Sequence, residues 1–152
     1  GAIAGGAIAG GAGDVGAEAA PVRGGPEFEP FSPTRLADLR AAGSPIFVNV
    51  TAAWCITCQV NDRLALSSQR VGDAFRARGI VALKGDWTNR DPDITRLLES
   101  FGRSGVPLYL FYPAGQEEPV ILPQLLTESI VIDAIASQPL IAKGDLLRKG
   151  SG

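Results

Sequence analysis

Cys55 and Cys58 are the only cysteines in a chain of 152 residues, and they sit together in Ala53-Trp54-Cys55-Ile56-Thr57-Cys58-Gln59-Val60-Asn61-Asp62. Two thiols at this spacing admit three chemistries: half of a metal site, a structural staple, or a dithiol that exchanges with other disulfides. A structural zinc site needs four ligands, usually Cys or His. The chain offers two thiols and no histidine, so only the pooled thiols of a dimer or unusual carboxylate ligands could complete one. A staple closing so short a loop would constrain the unfolded chain by only about 2 kcal/mol before native strain is subtracted. Exchange asks for less: one thiolate to attack, and a second thiol near enough to resolve the mixed disulfide.

Composition narrows the remaining choices. The absent histidine removes Ser-His-Asp and Cys-His catalysis, because both need an imidazole base. Net charge is −2 with no concentration of Lys or Arg, which argues against nucleic acid and anionic membrane surfaces as partners. Hydrophobic residues make up 45% and charged residues 20%, the balance of an ordinary soluble domain. The absence of Met suggests a processed or excised chain rather than one starting at its own initiator.

The elements that must position the cysteines follow from local patterns. Ile46-Phe47-Val48-Asn49-Val50, bounded by Pro45, predicts a buried strand, and a helix is expected from Cys55 to about Leu64. Cys55 would then open a helix directly after a strand. Unpaired N–H groups and the helix dipole favour an anion there, which lowers a thiol pKa. Upstream, Ser32-Pro33 signals a helix start and Gly43 its end. Downstream, a helix is expected over about 70–78, a strand at Ile80–Leu83, and a helix opened by Asp91-Pro92 with a stripe of Ile94, Leu97, Leu98 and Phe101. Leu108–Tyr112 and Val120–Leu122 are expected to pair as a hairpin, before a last helix carrying Ile130, Ile132 and Ile135. Strands alternating with helices and ending in a hairpin predict a mixed sheet. Cys-x-x-Cys at a strand-to-helix junction of such a pattern favours the exchange reading.

The first thirteen residues use GAIAG twice, and are expected to be a flexible linker or the end of a truncated membrane segment with small-xxx-small spacing. Gly11-Ala12-Gly13-Asp14-Val15-Gly16 satisfies G-x-G-x-x-G only by accident, since no strand precedes it and Pro21 follows. The expected division is therefore 1–30 as linker or truncated membrane segment, 31–142 as one domain, and 143–152 as a loose tail.

These residues resemble a known family. Trp54-Cys55-x-x-Cys58 after the strand at 46–50, with Gly105-Val106-Pro107 before the strand at 108–112, resembles the thioredoxin fold over roughly 31–140. More narrowly, "WCITCQVND", "GDWTNRDPDIT" and "FGRSGVPLYLFYPAG" are similar to the C-terminal domain of the DsbD and ScsB type of transmembrane thiol:disulfide interchange protein. The resemblance implies an α/β fold of thioredoxin type, with a central mixed sheet of four to five strands flanked by helices. It also implies a periplasmic disulfide reductase domain of an inner-membrane protein. Cys55 would attack and Cys58 resolve, with electrons supplied by an upstream membrane dithiol domain and passed to periplasmic thiol-disulfide proteins. No cofactor or metal is expected, because the sulfurs carry the electrons, and the isolated chain is expected to be monomeric.

The resemblance also assigns supporting residues. Pro107 matches the family's cis-proline, which lies against the cysteine pair and helps hold the substrate chain. Trp54 is expected beside the disulfide, partly exposed, and Trp87 to pack at the same end of the sheet. One position departs from the pattern: the buried Asp commonly found six residues before the first cysteine is Asn49 here. An amide cannot take up a proton at neutral pH. Asp62, four residues after Cys58 and on the same helix face, matches an acidic position of the family and is expected either to tune Cys58 and accept its proton or to be a solvated residue of the helix surface. The Cys-Ile-Thr-Cys sequence leaves the direction of electron flow open. An oxidant or isomerase on the same fold, or a binding module with a merely structural disulfide, are the alternatives.

Overall fold

The computed structural model describes residues 24–141. Its elements run β1 (Phe28–Pro30), α1 (Pro33–Ala41), β2 (Ile46–Thr51), α2 (Ile56–Asn61), a π-helical turn (Asp62–Leu66), α3 (Gln69–Arg78), β3 (Val81–Asp86), α4 (Pro92–Ser100), β4 (Leu108–Tyr112), β5 (Val120–Ile121) and α5 (Glu128–Ile135). The sheet order is β1-β3-β2-β4-β5. β3 lies parallel to both β1 and β2, while β4 is antiparallel to β2 and to β5. This is the mixed α/β sheet expected from the alternation of strands and helices, with one strand, β1, beyond the four read from the sequence.

The two faces of the sheet follow the period of two along each strand. Ile46, Val48, Val50, Leu108, Leu110 and Tyr112 turn toward α1 and α4, whose Leu36, Leu39, Ile94 and Leu98 complete one core layer. Phe47, Tyr109 and Phe111 turn the other way and pack with Leu66, Val71, Phe75, Val131 and Ile135. Because β2 is covered on both faces, all six of its residues are buried, which explains its nearly continuous apolar run. Asn49 and Thr51 fall on the second face, the one covered by the cysteine-bearing segment. The register pairs Asn49 with Lys84 on one side and Tyr109 on the other.

Helix starts follow their capping residues. Ser32, Ser68 and Thr127 each accept a hydrogen bond from a backbone N–H of the first turn, and Asp91 accepts two. Gly79 ends α3 in the left-handed region at φ 67°, a conformation that glycine adopts without a Cβ penalty.

Several boundaries differ from the sequence reading. Order begins before Phe31: Phe28–Pro30 forms strand β1 on Ala82–Lys84, inside the stretch expected to be linker. One aromatic between two glutamates and a proline carries no alternating pattern, and only the exposed edge of β3 makes it a strand. β3 itself runs on through Lys84-Gly85-Asp86, because its backbone pairs with Asn49-Val50-Thr51 whatever its side chains. The helix expected to reach Leu64 is α-helical only to Asn61, then widens into the π turn, closed by Ser67 N–H on the Asp62 carbonyl at 2.8 Å. In α5 the fully buried residues are Val131 and Ile135, with Ile130 and Ile132 only partly covered. The GAIAG repeats, the G-x-G-x-x-G match and the tail from 143 lie outside the described residues. Among the described residues, no helix is long and apolar enough to cross a membrane.

Candidate functional site

The strand β2 ends at Thr51, and a tight turn brings the chain to Cys55, whose N–H donates to the Ala52 carbonyl at 3.1 Å. Cys55 is the N-cap of α2: its Sγ accepts the Cys58 backbone N–H at 3.1 Å. A sulfur in that position faces the positive end of the helix, so its thiolate is stabilised relative to a thiol in water. Cys55 and Cys58 form a disulfide with their Cα atoms 5.2 Å apart. Cys58 is wholly buried, whereas 8% of Cys55 remains exposed. Only Cys55 can therefore be approached from solvent.

The Val106–Pro107 peptide bond is cis. Val106 packs against Ala52, Cys55 and Cys58, which places the Gly105-Val106-Pro107 segment beside the disulfide. Arg103 Nη1 donates to the Pro107 carbonyl at 3.2 Å and braces this loop from below.

The other wall is built from the loop after β3. Thr88 Oγ1 accepts the Ala53 N–H at 2.8 Å, and the Thr88 carbonyl accepts the Trp54 indole N–H at 3.1 Å. Asp86 accepts both the N–H and the hydroxyl of Thr88, and these bonds hold its carboxyl below the ordinary carboxylate pKa. Trp54 is half exposed at 49%, and its ring lies 5.9 Å from that of Trp87. Trp87 is buried in the core layer of α1 and α4, with its indole N–H on Thr95 Oγ1 at 2.8 Å. Ile56, on the other side of Cys55, is 78% exposed. Cys55 thus sits between two apolar side chains open to solvent.

Behind the disulfide lies a polar layer. Asn49 is buried, and its Oδ1 has no hydrogen-bond partner among the described residues; Thr51 Oγ1 is in the same condition. Asn49 opens onto a recess of about 320 Å³ shared with Asp62, Lys84, Gly24 and Gly25. Thr51 opens onto a second, of about 240 Å³, shared with Gln59, Asp62, Lys84 and Asp86. Asp62 and Lys84 therefore stand between the two spaces. Burial pushes the Asp62 carboxyl above its ordinary value, and the Lys84 charge offsets part of that rise. The Asp62 N–H donates to the Cys58 carbonyl, so the carboxylate is carried one helical turn beyond the buried sulfur.

Asn61 was not anticipated. It is buried, donates through Nδ2 to Tyr109 Oη at 2.8 Å and the Gln124 carbonyl at 2.7 Å, and accepts the Leu126 N–H at 3.0 Å. It ties the end of α2 to β4 and to the segment before α5. Tyr109, expected to be a plain strand residue, is the partner in this bond; burial pushes its pKa up to about 12, with the Asn61 bond opposing and the Asp62 charge adding to the rise. Thr88 and Arg103 were missed as well. A lone Asn, Thr or Arg in a sequence carries no sign of the distant backbone group it will meet.

Comparison with known proteins agrees with this geometry. Residues 27–114 match the family model described as thioredoxin-like. The chain is 34% identical over 83 residues to thiol:disulfide interchange protein DsbD 1 of Pseudomonas aeruginosa, covering 55% of this chain and 14% of that protein. It is likewise 34% identical over 80 residues to DsbD of Klebsiella pneumoniae, covering 52% and 13%. The matched region is thus a small part of those relatives. Among solved structures, the oxidised C-terminal domain of Neisseria meningitidis DsbD superposes with a TM-score of 0.56 at 18% identity, covering 74% of this chain and 100% of that one. A thioredoxin from Thermus thermophilus gives 0.59 at 21% identity, covering 74% and 86%. With the cysteine pair at the strand-to-helix junction, the cis-proline beside it, the mixed sheet and the family match all in agreement, the chain belongs to the thioredoxin-like family.

Proposed function

We propose that this domain is a thiol-disulfide oxidoreductase working as a reductase: it accepts electrons from a membrane-embedded dithiol and passes them to disulfides of periplasmic partner proteins. The observation that carries the reading is the asymmetry of the pair, with Cys55 Sγ at a helix N-terminus and 8% of Cys55 open to solvent while Cys58 is wholly buried behind it. The likeness to proteins named thiol:disulfide interchange protein DsbD supports disulfide exchange as the activity.

In the proposed reaction the Cys55 thiolate attacks one sulfur of a partner disulfide. The partner's other sulfur leaves as a thiolate and takes up a proton, and a mixed disulfide forms. Cys58 then loses its proton and attacks Cys55 Sγ, releasing the second partner thiol and closing the Cys55–Cys58 bond. Two electrons and two protons pass to the partner, and an upstream dithiol restores the pair at the cost of its own oxidation. Pro107 and Trp54 flank the groove where the partner chain would lie. Asp62 is the proton acceptor for Cys58: its raised pKa moves it toward the range useful to a base near neutrality. Asn49, lacking a carboxylate, holds the polar recess through which a proton could travel. The catalytic unit is the domain expected over 31–142 together with strand β1 at Phe28–Pro30, acting as a monomer when isolated, with no metal or cofactor in the electron path.

The equilibrium reduction potential of the pair against a defined dithiol buffer tests the direction. A value near −270 mV, roughly that of thioredoxin, supports a reductant, whereas one near about −120 mV makes the domain a disulfide donor. Cys55→Ser should abolish turnover; a variant that keeps its partner interactions and its full cellular role would leave only a stapled binding module.

A further inference from the structure

Arg90 is the one non-glycine residue with positive φ among the described residues, at 57°. This left-handed conformation is unfavourable for an ordinary L-residue and persists only where the surroundings enforce it. The Arg90 N–H closes a turn on the Trp87 carbonyl at 2.9 Å, and the side chain comes back over two rings. Its guanidinium lies 4.8 Å from the centre of the Trp87 ring and 5.3 Å from that of Trp54. Both indoles are themselves fixed, Trp87 by Thr95 and Trp54 by the Thr88 carbonyl. The cation is therefore held in place beside the residue that precedes Cys55.

Holding by aromatic rings leaves the five N–H donors of a guanidinium uncommitted. Among the described residues Arg90 makes no side-chain hydrogen bond and no ion pair, in contrast to Arg35, Arg70, Arg76 and Arg96, which each face a carboxylate. The nearby acids form no ion pair with it, and each uses one carboxylate oxygen for a local bond. Asp91 caps α4, accepting the N–H groups of Asp93 and Ile94, and Asp86 is bonded to Thr88. Arg103 braces the Pro107 carbonyl, and Lys84 lines the recess with Asp62 and Asp86. The rim around Cys55 is thus apolar at Trp54 and Ile56 and carries the Arg90 guanidinium, which no carboxylate meets in an ion pair among the described residues.

We propose that Arg90 is a specificity-determining contact, clamped by Trp54 and Trp87 to receive an acidic side chain next to the partner's reactive disulfide. The inference rests on the reductase reading above and adds the chemistry of the partner: a cystine flanked by Asp or Glu. A fork of donors pre-set by stacking loses little side-chain freedom on binding. Covering it with a partner removes water, which strengthens both the ion pair and the contact with the rings.

The test uses the full chain, reduced beforehand, and two synthetic peptides with the same internal disulfide, flanked either by Glu or by Lys. Second-order rates of peptide reduction are followed by the change in tryptophan fluorescence. The Glu peptide should react roughly tenfold faster at low salt, as expected for one close interfacial charge pair, and the ratio should shrink as salt rises. Arg90→Glu should invert the preference and Arg90→Lys should keep part of it. Arg90→Gly, which suits the left-handed backbone and so folds at least as well, should bring the ratio to about one. An undiminished ratio in Arg90→Gly, or equal rates for both peptides with the wild-type protein, would overturn the charge preference alone. Equal slowing of both peptides in Arg90→Gly, accompanied by a raised Cys55 pKa, would assign Arg90 to thiol activation and overturn it too. A wild-type protein that reduces neither peptide overturns the reductase reading, and this inference with it.

Discussion

Replacing Asp62 by Asn should lower the pKa of the Cys58 thiol in the reduced protein. The Asp62 N–H donates to the Cys58 carbonyl, so the two side chains are neighbours at helical i,i+4 spacing, about 5–6 Å apart at Cβ. Two unit charges about 6 Å apart repel by about 2.8 kcal/mol at an effective dielectric constant of ~20 and by about 0.7 kcal/mol in bulk water. At about 1.36 kcal/mol per pH unit, the carboxylate raises the thiol pKa by about 2 units in the first limit and about 0.5 in the second. Asp62 is half-buried with Lys84 beside it, which places the expected fall near 1 unit, between these limits. The titration is best read by ultraviolet thiolate absorbance in a Cys55→Ser background, where Cys58 alone can contribute. A fall smaller than about 0.3 units would mean that solvent screens the carboxylate below even the bulk-water limit, and Asp62 would be a surface residue without influence on the pair. The same substitution carries a stability signature. Burial raises the native pKa of Asp62, so between the unfolded value of about 3.9 and the raised native value the folded state binds more protons and stability falls with rising pH. The advantage of Asp62→Asn over the wild-type protein should therefore grow through that window and vanish below it, as denaturant titrations across pH would reveal.

Three further substitutions probe what holds the site together. Thr88→Val removes the acceptor of the Ala53 N–H and the donor to Asp86; chemical denaturation should show a loss of about 1–3 kcal/mol, and Trp54 fluorescence should become more mobile, whereas an unchanged anisotropy would mean that the loop is held by other contacts. Asn61→Ala strips three hydrogen bonds at once and leaves the Leu126 N–H and Tyr109 hydroxyl without their partner; a cost of about 3 kcal/mol or more is expected, and one below about 1 kcal/mol would contradict the network. Gly25→Ala would drive a Cβ into the backbone of Leu66 and Ser67, so residues 24–27 should lift off and become sensitive to protease, with a loss of about 1–3 kcal/mol; an intact, protected N-terminal strap would show that the close approach is not required.

The cysteine pair and its place at a strand-to-helix junction were legible in the sequence because they rest on local information. A strand bounded by Pro45, a helix start at the cysteines and the spacing between them are all encoded within a few residues, and the bonded pair follows from helix geometry. The caps at Ser32 and Asp91 were legible for the same reason, since a cap serves N–H groups two or three residues away. Everything that depends on residues far apart in the chain was decided by tertiary structure. β1 is a strand only because β3 offers an unpaired edge. The π turn after Asn61 follows from bonds reaching β4 and the approach to α5. The wall beside Cys55 joins Ala53 and Trp54 to Thr88, across 35 and 34 positions. The stacking of Arg90 on two tryptophans has no sequence signature at all, because nothing in Trp87-Thr88-Asn89-Arg90 distinguishes a turn from a clamp. Local propensity chose the elements and placed the sulfurs; packing decided which charges and aromatics surround them, because an arginine, an amide or a carboxylate acquires its partner only when distant strands and loops are brought within a few ångströms.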